Sequence, residues 1–179
     1  MSNAISVQGL SKRFGDHQAL DHVSFEVPKG AVVGLIGPNG AGKTTALKAI
    51  LGLSAFEGAV EVLGQSPRSA PHQMMTSVGY ISDVGILPRW LKVNDALKFT
   101  QAIHPQFNLE KARAILAKTD IPVKQRVKAL SKGMVTQLHL ALVLAMDVQL
   151  LILDEPTLGL DIVYRSQFYQ QILNEFLGE

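Results

Sequence analysis

The spacing of hydrophobic positions changes twice along the chain and divides it into three stretches. Over residues 5–10 and again over 20–27, where Val23, Phe25 and Val27 alternate with polar residues, the period is near two and predicts a pair of antiparallel strands. Ala31-Val32-Val33-Gly34-Leu35-Ile36 is apolar at almost every position, the pattern of a parallel strand buried on both faces, and residues 46–51 continue at helical spacing. Gly52 is a natural end for that helix. Residues 58–64 and 77–81 read as two more short strands, separated by a loop at Pro67 and Pro71. From Val84 to Met146 strand-like runs vanish and the period becomes helical, with Val93, Ala96 and Leu97, then Ala112, Ile115 and Leu116. Pro88, Pro105 and Pro122 divide this helical lobe. It predicts helices over 91–103, 109–119 and 131–146, with Asn94 or Asn108 and Ser131 as N-caps. Leu150-Leu151-Ile152-Leu153 is again a covered strand, and 161–176 closes the sequence as an amphipathic helix.

Between the apolar run ending at Ile36 and the helix beginning near Ala46 lies Gly37-Pro38-Asn39-Gly40-Ala41-Gly42-Lys43-Thr44-Thr45. A strand, a Gly-rich turn and a helix N-terminus aim several backbone N–H groups and the positive end of the helix dipole at one point, which suits an anion. Gly37 and Gly42 at the ends of the loop, followed by Lys43 and Thr44, match the P-loop pattern. Lys43 then serves the β- and γ-phosphates and the Thr44 hydroxyl serves Mg²⁺. A metal held by Thr44 needs a carboxylate from a neighbouring strand, and Asp154, at the end of the Leu150 run, is the candidate. Glu155 beside it either polarises a water as general base or merely opens a solvated turn before Pro156. Phe14 is placed either to stack on a purine or to pack within the sheet.

Composition adds limits more than content. Of 179 residues, 47% are hydrophobic and 18% charged, which excludes disorder and allows one substantial core. A net charge of +2 gives no reason to expect a nucleic-acid partner, and the absence of cysteine excludes disulfides and thiolate metal sites. The richest apolar stretch, 138–153, is broken by His139, Asp147 and Gln149, too short to span a bilayer. No secretory signal precedes residue 5, so a cytoplasmic location is expected. Ser2-Asn3-Ala4 looks like a tag-cleavage remnant, and the fold is expected to begin at Ile5.

GPNGAGKTT at 37–45, LSKGM at 130–134, LLILDEP at 150–156 and LGLD at 158–161 resemble, in order and spacing, the nucleotide-binding domain of ATP-binding cassette (ABC) proteins. The resemblance covers the chain from residue 5 onward. It implies an α/β fold: a P-loop NTPase (RecA-like) core with a mostly parallel sheet, an N-terminal antiparallel β subdomain and an inserted helical subdomain. Residues 5–179 would form one ATP-binding domain, with 5–83 holding the β subdomain and Walker A core, 84–146 the helical subdomain and signature, and 147–179 the Walker B core. Position by position, Gly37 to Thr45 would be the Walker A loop, including Pro38, Asn39, Gly40 and Ala41. Asp154 would be the Walker B aspartate, Glu155 the catalytic carboxylate and Phe14 the aromatic on adenine. Ser131 and Gly133 would meet the γ-phosphate bound by a second subunit, with Asp161 at the same dimer seam.

Three positions depart from the family pattern. Lys132 replaces the first Gly of the usual LSGGQ signature, which falls at 130–134, and brings a point charge, and Met134 replaces its Gln. Asp83 stands where the family generally has a Gln that ligates Mg²⁺, a role a carboxylate can also fill. The family's switch histidine follows the Asp161 helix, whereas the last of the five histidines here is His139, so a truncated product that binds ATP and hydrolyses it poorly is expected. The resemblance implies an ATPase subunit that binds ATP and Mg²⁺. It would sit peripherally on the inner face of the cell membrane through a membrane-spanning permease, beside a second nucleotide-binding subunit, identical or not. Pro88-Arg89-Trp90-Leu91 is either its docking patch or a segment whose Trp90 is buried in the lobe. The alternatives are a nucleotide-binding module without efficient turnover and a soluble ATPase acting on DNA or the ribosome. The latter usually carries coiled-coil insertions or tandem cassettes, absent from this sequence.

Overall fold

In a computed structural model, which describes residues 2–82 and 87–177, the chain forms two compact units, Met1–Met75 and Thr76–Glu179. The first is built on a three-stranded antiparallel sheet in the order β2-β1-β3, where β1 is Asn3–Phe14, β2 is His17–Pro28 and β3 is Glu57–Val62. Val7 of β1 lies opposite Phe25 on one side and Val60 on the other, which turns Val7, Leu10, Val60 and Val62 into one apolar face. Helix α1 (Lys43–Ile50) packs on β2 and β3, with Ala49, Ile50 and the following Leu51 fully buried. Each large side chain buried this way contributes about 1.5–3 kcal/mol. Gly52 follows the helix, its N–H bonded to the Ala49 carbonyl, and Pro71 opens a short helix, α2 (Pro71–Met75), where a loop was expected.

Two expectations are corrected in this unit. Asn3 and Ala4 belong to β1: Ala4 is buried and its carbonyl accepts from Leu63 N–H, while Ser2 accepts from Lys29 N–H. The fold therefore starts ahead of Ile5. The run 31–36 does not form the expected buried strand. Residues 31–38 are neither helix nor strand, and Val32 is 82% and Ile36 95% exposed. The cause is local: β2 ends at Pro28, which has no N–H to continue the ladder, and the chain reverses at Gly30, φ +75°, where Ala31 N–H meets the Pro28 carbonyl. Both edges of β1 are already taken by β2 and β3. An all-apolar pattern permits burial on two faces, but the strand itself needs neighbours.

The second unit has a parallel pair, β4 (Val78–Ser82) and β5 (Leu150–Asp154), in register from Val78 opposite Leu150 to Ser82 opposite Asp154. Around it lie α3 (Val93–Ile103), α4 (Leu109–Leu116), α5 (Lys132–Leu144) and α6 (Ile162–Leu177). Helix α5 is polar at its start and apolar over Leu140–Leu144, which is buried on every side, the pattern of a helix that runs into the core. Leu138, Ala141 and Leu142 pack with Val93, Leu97 and Leu116, while Leu140, Val143 and Leu144 pack with Ile81 and Phe168.

The caps are decided by what else can satisfy the first-turn amides. Asn108 caps α4, its side chain accepting from Lys111 N–H at 2.9 Å, and Ser131 caps α5, accepting from Met134 N–H at 3.2 Å. Asn94 does not cap. Helix α3 starts after Lys92, and the amides of Val93 and Asn94 bond instead to the carbonyls of Gln125 and Val123 at 3.0 and 2.9 Å. Trp90 is 69% exposed, so it is no core residue of the helical lobe. Among the described residues no helix is long and apolar enough to cross a membrane.

Candidate functional site

In the first unit the loop 37–45 closes onto α1. Ala41 N–H bonds the Pro38 carbonyl at 3.2 Å, and Ala46 N–H bonds the Gly42 carbonyl at 2.8 Å. Gly42 is the N-cap at φ +86°, and a Cβ there would lie 2.6 Å from the Ala19 carbonyl oxygen of β2. Only glycine fits, and its fit seats the loop against the strand. Lys43 bends back over the loop, its Nζ donating to the carbonyls of Gly37 at 2.9 Å and Pro38 at 3.0 Å. No acidic residue lies in the first turn of α1. Thr44 and Thr45 follow within that turn. Phe14, at the end of β1, is 53% exposed with Lys12 Nζ 4.9 Å from its ring centroid, so it is a surface ring with a cation near it and no sheet-packing residue.

In the second unit Asp154 ends β5 and is buried, and Tyr80 Oη of β4 donates to its Oδ2 at 3.3 Å. Burial first, and then the Asp154 charge, push the Tyr80 phenol up to about 12, which keeps it a donor. Tyr80 was not legible as a site residue, because only the β4–β5 register brings position 80 near position 154. Glu155 has φ +50°, a left-handed conformation uncommon for glutamate, and turns the chain sharply out of β5. Leu158 N–H then bonds the Glu155 carbonyl at 3.1 Å. Asp83 lies outside the described residues.

The first turn of α5 is engaged in the same unit. Ser131 is its cap, and Gly133 is buried where a Cβ would be 2.9 Å from the Tyr164 ring of α6. Asp161 caps α6, its Oδ1 accepting from the amides of Val163 and Tyr164, each at 3.0 Å. Lys132 Nζ donates to the Leu158 carbonyl. Ser131, Lys132, Gly133 and the 155–164 segment thus form one connected group. Among the described residues no three His, Asp or Glu side chains gather to hold a metal by themselves.

A family model described as ABC transporter matches residues 20–158, a span that includes the loop, the signature and the end of β5. The chain belongs to the ABC transporter family. This cassette is 34% identical to the Nod factor export ATP-binding protein I of Sinorhizobium fredii, over 94% of this chain and 51% of that protein. It is 32% identical to a probable metal transport system ATP-binding protein of Thermotoga maritima, over 98% of this chain and 70% of that one. The cassette thus spans about half the length of the curated relatives it matches first. A solved structure described as the ATP binding subunit of an ABC transporter superposes with a TM-score of 0.86 at 26% identity, covering 98% of this chain and 75% of the other. The expected P-loop α/β fold is therefore the fold of this family, and the family is ATP-binding.

Proposed function

We propose that this cassette binds ATP with Mg²⁺, hydrolyses it, and energises transport through a separate membrane-spanning permease on the inner face of the cell membrane. The observation that carries the reading is the loop at 37–45. A glycine that admits no Cβ fixes it against β2, and an ammonium rests on its carbonyls until a phosphate draws it away. In this reading Gly37, Pro38, Asn39, Gly40, Ala41 and Gly42 offer backbone to the phosphates, and Lys43 takes the β- and γ-oxygens. Phe14 stacks on adenine. By the motif match Thr44, Asp154 and Asp83 would hold the metal, which would neutralise charge on the phosphates.

Tyr80 orients the Asp154 carboxylate. Glu155, held in its left-handed turn, accepts a proton from the attacking water. Ser131 and the amides at the start of α5, beside Gly133, meet the γ-phosphate of a second nucleotide-binding subunit, with Asp161 at that seam. Closing then depends on the phosphate and hydrolysis releases it. The names of the relatives speak of Nod factor export and metal transport by those proteins. The cargo here is set by the permease.

The test is ATP turnover by the chain and by Glu155→Gln. Turnover is expected to fall at least about 100-fold in the variant with nucleotide binding kept. Equal rates in both would remove Glu155 from its role, and bound ATP without turnover in either would make the chain a binding module.

A further inference from the structure

Lys132 stands where the family signature has glycine, and the structure gives its ammonium a specific destination. Nζ donates to the main-chain carbonyl of Leu158, in the turn between β5 and α6. It also lies against Gly159, where an added Cβ would be 3.2 Å from Nζ and would crowd the ammonium. The main chain of Leu158 is thereby held on both sides: its N–H donates to the Glu155 carbonyl and its own carbonyl accepts from Lys132. Leu160 N–H completes the turn on the Thr157 carbonyl at 3.1 Å.

A cation in the first turn of a helix is unfavourably placed against the dipole, and Lys132 avoids that by reaching outward to a carbonyl. A bond to an ionised donor is stronger than a neutral one, although this one is solvent-exposed, so an effect of several fold is expected.

We propose that Lys132 is a positioning residue that ties the turn carrying Glu155 and Asp161 to the first turn of α5, coupling the hydrolytic carboxylate to the signature within one chain. It acts through Leu158 and touches no phosphate. The inference rests on the roles given above to Glu155 and the signature, and one of its two readouts is independent of them.

Hydrogen exchange of the nucleotide-free chain is that readout. In Lys132→Met, which keeps the length and removes the charge, the Leu158 and Leu160 amides should exchange about 3–10-fold faster. The interior of α5 should be unchanged, which also certifies folding, and Lys132→Arg should stay within about twofold of the parent. Steady-state kinetics give the second readout: kcat should fall by a similar factor in Lys132→Met with KM for ATP unmoved, and Arg should restore it. Unchanged exchange at 158 and 160 overturns the tether. A raised KM at unchanged kcat overturns it too and makes Lys132 a phosphate ligand. If the parent chain shows no turnover, the Glu155 reading fails while exchange still decides the tether.

Discussion

A methyl group at position 42 would meet the Ala19 carbonyl at 2.6 Å on a backbone already at φ +86°. Gly42→Ala should therefore cost at least about 1–2 kcal/mol from the left-handed conformation alone, lowering Tm in thermal unfolding by several degrees and abolishing ATP binding. Gly34→Ala is the control, because an added Cβ there meets nothing within 4 Å, and its Tm should match the parent. Tyr80→Phe removes the donor to Asp154 and should raise the Mg²⁺ concentration for half-maximal ATP binding about tenfold, measured by titration at fixed nucleotide. The loop at 37–45 was legible because its chemistry is local: glycines, a lysine and a threonine at fixed spacing. The Tyr80–Asp154 bond and the Lys132–Leu158 bond were not, since one depends on strand register and the other joins residues 26 apart.

For helices and strands, amphipathic spacing found α3, α4, α5 and α6 to within a few residues, and period two found the β1–β2 hairpin. Where the sequence misled, a competitor outside the element decided. Helix α3 already begins at Val93, and the Ala96 N–H that an Asn94 cap would take bonds the Lys92 carbonyl, so Asn94 has nothing to cap. The run 31–36 leaves the sheet at the Pro28–Gly30 turn, so its apolar pattern finds no ladder. The difference is measurable. Ser131→Ala removes a real cap and should cost about 1 kcal/mol, a Tm loss of about 2–4 °C. Asn94→Ala should leave Tm unchanged.

On the scale of the whole molecule, the order of motifs sufficed to name the family, because loop, signature and Walker B strand recur together. Stability should also carry a histidine signature. Burial pushes His139 of α5 and His104 below the ordinary value of 6.5. The unfolded chain then binds more protons than the folded one as pH falls past about 6.5, so stability is complete above that pH and drains below it. Denaturant midpoints between pH 7.5 and 5 should show the loss, and His139→Leu should flatten it. The claim on which the rest depends is that the loop ending in Lys43 is the ATP site. Equilibrium binding of Mg-ATP to the parent and to Lys43→Ala tests it most directly: the account predicts saturable binding that weakens at least about tenfold in the variant, and equal affinity in the two would contradict it.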